Sequence, residues 1–157
     1  MKMTIIEGVR IKKCNWMVDD RGQLTELLRA DDEMFQGFGQ SYITTCDIST
    51  YKPIIKAWHC HERQYDNFTV IRGKLKLVLY DDREGSSTKN DFQEVILDAY
   101  QPQVVQIPPL VWHGFMALGD EPAWVLNIPS QPYNSKNPDE IRRSLYELEY
   151  DWDVESR

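Results

Sequence analysis

Strand-like runs recur along this chain at short, even intervals, and no other feature restricts the fold as strongly. QLTELLR (23–29), SYITTCDIST (41–50), NFTVIR (67–72), KLKLVLY (74–80), FQEVIL (92–97), QVVQI (103–107), VWHGFMA (111–117) and AWVLNI (123–128) alternate apolar with polar residues or concentrate β-branched ones. A period of two is that of a half-buried strand. Gly73 separates two runs at hairpin spacing, DDREGSSTKND is a polar loop, and Pro108-Pro109 interrupts another pair. Eight or more short strands at this spacing predict an all-β, closed or double-sheet architecture, a jelly roll or a small barrel. There is no repeat, low-complexity tract or linker, so residues 1–157 read as a single domain.

One segment breaks the pattern. NPDEIRRSLYEL (137–148) predicts a short C-terminal helix. Asn137 suits the N-cap and Pro138 the first helical position, while Asp139 and Glu140 complement the helix dipole. Ile141, Leu145 and Leu148 would then form one apolar stripe against the sheet.

Composition narrows the function classes. A net charge of -7 without a Lys/Arg cluster argues against nucleic acid, which is bound through its phosphates. It leaves room for a phosphorylated small molecule, which one or two placed arginines can hold. No apolar run reaches the length of a membrane span and the N-terminus lacks a signal-peptide core, so a cytoplasmic protein is expected. Cys14, Cys46 and Cys60 are scattered and odd in number, the pattern of reduced thiols.

The chemistry concentrates in KAWHCHERQYDNFTVIRG (56–73), which holds two of the three histidines. On a strand His59 and His61 point to one face, and His113 follows the Pro-Pro turn. The spacing of His59, His61, Asp66, Gly73, Pro108 and His113 resembles the two-part motif of the cupin superfamily. In that motif three histidines and a glutamate bind a divalent metal inside a small jelly roll. Asp66 stands where glutamate is usual, and Leu110 where the second part has glycine. The resemblance implies a cupin double-stranded β-helix and a metal set of His59, His61, Asp66 and His113, a set of nitrogens and one hard oxygen that suits Zn, Fe, Mn, Ni or Co.

Most of the chain, from about residue 18 to 146, also resembles the dTDP-4-dehydrorhamnose 3,5-epimerase family, cupin-like jelly rolls that work without metal. DDRGQLTE (19–26), KAWHCH (56–61), VLYDDREGSST (78–88), IPPLVWHGFMALGDEPA (107–123) and IPSQPYNSKNPDE (128–140) match its segments in order. The resemblance implies an epimerase or isomerase of a nucleotide-linked 4-keto-6-deoxy sugar, with no cofactor and a homodimer as the default assembly. It makes His59 the catalytic base and has His113 position or polarise the substrate. It assigns Arg21, Glu26, Lys56, Gln64 and Tyr133 to substrate binding, with Tyr133 stacking on the nucleotide base. Two family groups are replaced: the lysine that steadies the enolate falls at Asp66, and the tyrosine acid at Asn127, or at Leu126 if the match has no gap. A carboxylate opposes an enolate but can hold a cation, so a divalent metal in place of the lysine is one expectation. A second is a metal-dependent cupin isomerase, dioxygenase or lyase. A third is a ligand-binding cupin that has lost catalysis.

Overall fold

The computed structural model describes residues 5–153. Two five-stranded antiparallel sheets carry the fold. The first runs β1 (Arg10–Lys13), β9 (Gln103–Ile107), β6 (Asp66–Arg72), β11 (Ala123–Asn127), β4 (Tyr42–Cys46). The second runs β12 (Ile141–Arg142), β5 (Ile55–Cys60), β10 (Val111–Leu118), β7 (Lys74–Asp81), β8 (Phe92–Asp98). A separate hairpin joins β2 (Met17–Asp19) to β3 (Gly22–Leu24). Seven of the expected runs appear with ends shifted by a few residues, whereas 23–29 yields only the short β3.

Alternation builds the core. Leu75, Leu77 and Leu79 of β7 turn inward and meet Phe68, Val70, Val105, Ile107, Phe115 and Val125 between the sheets. Gly73 alone links β6 to β7, which belong to different sheets. Its φ of 73° lies in the left-handed region, and a Cβ there would stand 2.7 Å from the Pro122 carbonyl oxygen, so only glycine suits this crossing.

The outer face of the second sheet is covered by the chain's own C-terminal segment. Trp58, Cys60, Val78, Trp112 and Met116 pack against Leu148 and Trp152. The buried Lys76 holds that segment by donating from Nζ to the carbonyls of Trp152 (3.1 Å) and Asp153 (2.9 Å). Tyr150 and Trp152 are thus intramolecular cover, while Tyr146 stays exposed.

The helix expected over 137–148 shrinks to a single 3-10 turn, Leu145–Glu147, capped by Ser144. Ile141 and Arg142 instead form β12, paired with Cys60 and His59, and Trp58 and Arg143 exchange two backbone hydrogen bonds. The local capping signals are real, but strand pairing satisfies the same backbone groups and lets the segment close the sheet edge. Tertiary pairing outweighs a propensity of a few tenths of a kcal/mol per residue.

A bulge in β5 sets the site above it. The β5–β10 register shifts between His113, opposite His59, and Phe115, opposite Lys56. Gly114 sits against the bulge: a Cβ there would lie 2.2 Å from Ala57 Cβ and 3.0 Å from Ala57 Cα. Gly114→Ala should therefore cost about 1–3 kcal/mol of stability, as overpacking does. Denaturant unfolding would measure this, and adding Ala57→Gly should recover much of the loss.

Candidate active site

The two sheets open at one end over Phe68, and each contributes one wall there. His59 on β5 and His113 on β10 lie opposite each other in register, their ring centroids 4.0 Å apart. From the facing sheet, β6 begins with Asp66, β11 ends with Asn127, and β4 begins with Tyr42, opposite Asn127 in register. His61 lies one residue beyond β5. It is held from two sides: its Nδ1 donates to the Asp139 carbonyl, and its own carbonyl accepts from Leu110 N at 2.7 Å. That second bond ties down Leu110, whose φ of 64° occupies the left-handed region at the position where the cupin pattern has glycine.

Asp66 is the hub. It is 1 % exposed, and its Oδ1 accepts from Gln64 Nε2 and Asn127 Nδ2, both at 2.8 Å. Its Oδ2 lies 3.2 Å from His61 Nε2 and 3.2 Å from His113 Nε2. Burial pushes the Asp66 carboxyl up, but the His113 and His61 imidazoles more than offset this and hold it well below the usual carboxylate range. Burial lowers His61, but the bond and charge of Asp66 reverse the sign and leave it raised. His59 is different. Burial, with the neighbouring His113 adding to it, takes His59 well below the ordinary imidazole value, so it stays neutral.

The donor set fits a divalent transition metal. Ligand atoms of His59, His61, Asp66 and His113 all lie within 4.8 Å of one another. His113 Nδ1 donates to the Val111 carbonyl at 3.1 Å, which leaves Nε2 directed at Asp66. Asp66 Oδ2 and His113 Nε2 are both buried without a correctly directed hydrogen-bond partner. Orphaned buried polar atoms that converge on one point are what an ion site presents.

Above the cluster lies a cavity of about 640 Å³, lined among others by Gln40, Tyr42, His59, His61, Arg63 and Tyr133, within the usual range for small-molecule sites. Of the residues expected from the sequence, His59, His61, Gln64 and Tyr133 line it. Asp66, His113 and Asn127 lie beneath, joined through Asp66. Lys56 is not in the lining; its Nζ donates to Thr44 Oγ1 at 3.1 Å. Arg21 and Glu26 are also outside it. Arg21 pairs with Asp19 on the β2–β3 hairpin, and Glu26 with Arg29. Sequence reasoning missed Tyr42, Arg63 and Asp139. Tyr42 shares the inward face of β4 with Thr44 and Cys46, a period-two signal, but its register with Asn127 is a long-range fact.

The family profile described as dTDP-4-dehydrorhamnose 3,5-epimerase matches residues 3–157. The chain belongs to that family. It is 37 % identical over 142 residues to the probable low-salt glycan biosynthesis epimerase Agl13 of Haloferax volcanii, covering 89 % of this chain and 88 % of that protein. It is 34 % identical over 155 residues to the spore coat polysaccharide biosynthesis protein SpsL of Bacillus subtilis, covering 98 % and 100 %. A crystal structure of a dTDP sugar isomerase from Desulfovibrio desulfuricans G20 superposes with a TM-score of 0.80 at 31 % identity, over 90 % of this chain and 87 % of that one. The protein is accordingly an enzyme of the sugar epimerase/isomerase class with a cupin-like jelly-roll fold. Asp66 and Asn127, the two positions expected to depart from the family pattern, touch: the Asn127 amide donates directly to the Asp66 carboxylate.

Asp139 anchors the turn that carries His61. Its carboxylate accepts from the backbone N–H of Glu62 (3.0 Å), Arg63 (3.1 Å) and Gln64 (3.0 Å). Asp139→Ala should strand these donors and cost about 1–3 kcal/mol. Hydrogen exchange should show faster opening confined to residues 61–64.

Proposed function

We propose that this enzyme acts on a 4-keto-6-deoxy sugar carried by a nucleoside diphosphate, with His59 as the base that removes the proton next to the ketone. The observation that carries this reading is the state and place of His59: it borders the cavity, and burial keeps its imidazole neutral and able to accept a proton. The carbon's electron pair becomes the enolate double bond and charge moves to the carbonyl oxygen, where it needs a positive partner. His61 lines the cavity beside His59, at the place where that oxygen can be held, and the buried His113 packs against His59 from beneath. Tyr133, exposed on the rim, suits stacking on the base, and Arg63 is the cation at the mouth for the diphosphate. In heavy water, His59→Ala should slow solvent exchange at the carbon next to the ketone by about 10²–10⁴-fold. Exchange at the wild-type rate would remove His59 from the role.

A homodimer in the cytoplasm completes this reading. Met17, Val18 and Leu24 on the hairpin and Phe38 beyond it expose apolar surface, and β4 ends its sheet without a further neighbour among the described residues. Such an edge is ordinarily covered. Lys56, Arg21 and Glu26, which do not line this chain's cavity, have a substrate role only where an assembly brings them to one.

The orphaned Asp66 and His113 atoms favour a second reading, in which His61, Asp66 and His113, with or without His59, hold one divalent transition metal. The ion would supply the positive charge that the family lysine supplies elsewhere. Elemental analysis after purification without a nickel column should then find about one ion per chain, lost in Asp66→Asn. His59→Ala separates the two roles: retained metal leaves His59 free as base, while lost metal makes it a ligand and points to a different cupin chemistry. Metal-free protein with full exchange activity would contradict the metal.

A further inference from the structure

Inversion of a carbon centre needs a second proton source. A base that only returns what it took restores the original configuration, so an acid must reach the enolate from the other face. That acid must keep its proton at working pH and present it to the cavity opposite His59. Arg63 lines the cavity but is a guanidinium that does not give up its proton, and Tyr133 is a rim residue, 63 % exposed. Asp139 is occupied by three backbone donors, and Glu140 pairs with Arg142 at 2.9 Å. His61 also lines the cavity, but it extends the strand that carries His59 and its Nε2 faces Asp66. Tyr42 remains, 41 % exposed, on the sheet that faces the one carrying His59.

Its hydrogen bonding is determined by Asn127. Asn127 Oδ1 accepts from the Asn67 backbone N–H at 3.0 Å, a group that can only donate, which fixes the orientation of the amide. Its Nδ2 therefore points the other way and donates to Asp66 Oδ1 (2.8 Å) and to the Tyr42 hydroxyl oxygen (2.9 Å). The phenol oxygen is thus an acceptor, and no acceptor among the described residues takes its own hydrogen. A buried amide holds the oxygen in place and leaves the O–H free to turn into the cavity. The phenol is only partly buried; that partial burial, and after it the negative charge of Asp66, raises it to about 12, so it stays protonated at neutral pH.

We propose that Tyr42 is the proton donor of this site, giving its hydroxyl hydrogen to the carbon that His59 has deprotonated, on the opposite face of a nucleotide-linked 4-keto sugar. The step balances without an oxidant. His59 takes one proton, the enolate electron pair forms the new C–H bond as the carbonyl re-forms, and Tyr42 is left as phenolate. Solvent then returns a proton to Tyr42 and takes one from the His59 imidazolium. The position is distinct from 127: the phenol stands on β4, directly across the strand pair from the asparagine that occupies the family's tyrosine position. Asn127 is then a positioning residue for it. The proposal rests on the epimerase reading above.

The test compares wild type, Tyr42→Phe, Tyr146→Phe and His59→Ala in heavy water, with dTDP-, UDP- and GDP-linked 4-keto-6-deoxy sugars as probes. Tyr42→Phe should form inverted product at least about 10²-fold more slowly. It should still place solvent deuterium in recovered substrate of unchanged configuration, because His59 continues to exchange its proton. Tyr146→Phe, at an exposed tyrosine outside the cavity, should invert at the wild-type rate. Wild-type inversion by Tyr42→Phe would overturn the proposal, as would loss of exchange together with inversion in a folded variant. If Tyr42→Phe does not fold, 3-fluorotyrosine at position 42 keeps the hydroxyl and lowers its pKa. The alkaline limb of the inversion rate should then move to lower pH, and an unmoved limb would overturn the assignment. No exchange by the wild type on any probe would remove the epimerase reading itself, and Tyr42's role with it.

Discussion

A carboxylate at the bottom of a β-sandwich organises the functional end of this molecule. Burying a charge such as that of Asp66 costs several kcal/mol unless hydrogen bonds and opposite charge answer it. Here Gln64 and Asn127 occupy one oxygen, and His61 and His113 face the other. Each of those partners is fixed by a further contact: His61 by Asp139, His113 by Val111, Asn127 by Asn67. The network therefore has little freedom, and the rings above it inherit that order. His59, outside these pairings, is left neutral at the cavity wall.

This arrangement explains how a buried carboxylate can sit in a coherent site. Without those partners Asp66 would be an unanswered negative charge. With Asn127 and Gln64 bonded to one oxygen and His61 and His113 facing the other, the site attracts cations or protons rather than supplying them. The same asparagine that quiets the carboxylate also seats Tyr42. Tyr42, Asn127 and Asp66 thus meet in one hydrogen-bonded chain.

Much of the fold was legible because its signals are local. Leu75, Leu77 and Leu79 alternate with outward residues, and Gly73 and Pro108 mark turns that the structure keeps. The C-terminal segment was misread because its local signals were borrowed for a distant purpose. Asp139, read as a first-turn helix acid, caps the turn at 62–64 some 75 residues away. In the site, the histidines were legible because the chain has only three, and all converge. Tyr42 was not, because its meaning lies in a partner 85 residues on. Lys56 reads as a ligand contact by position along β5, yet its Nζ turns to Thr44.

Because the three histidines all belong to the cluster, long-range proton–nitrogen NMR of the unsubstituted, metal-stripped protein reads the central claim without assignment by mutation of the core. The account predicts that His59 loses its proton well below the range where a free imidazole titrates. It predicts that His61 holds its proton to higher pH than His59, and that the neutral forms of His61 and His113 carry hydrogen on Nδ1. A His59 that titrates at or above the ordinary imidazole value, or an Nε2–H tautomer on His113, would contradict an Asp66-centred site with a neutral base above it.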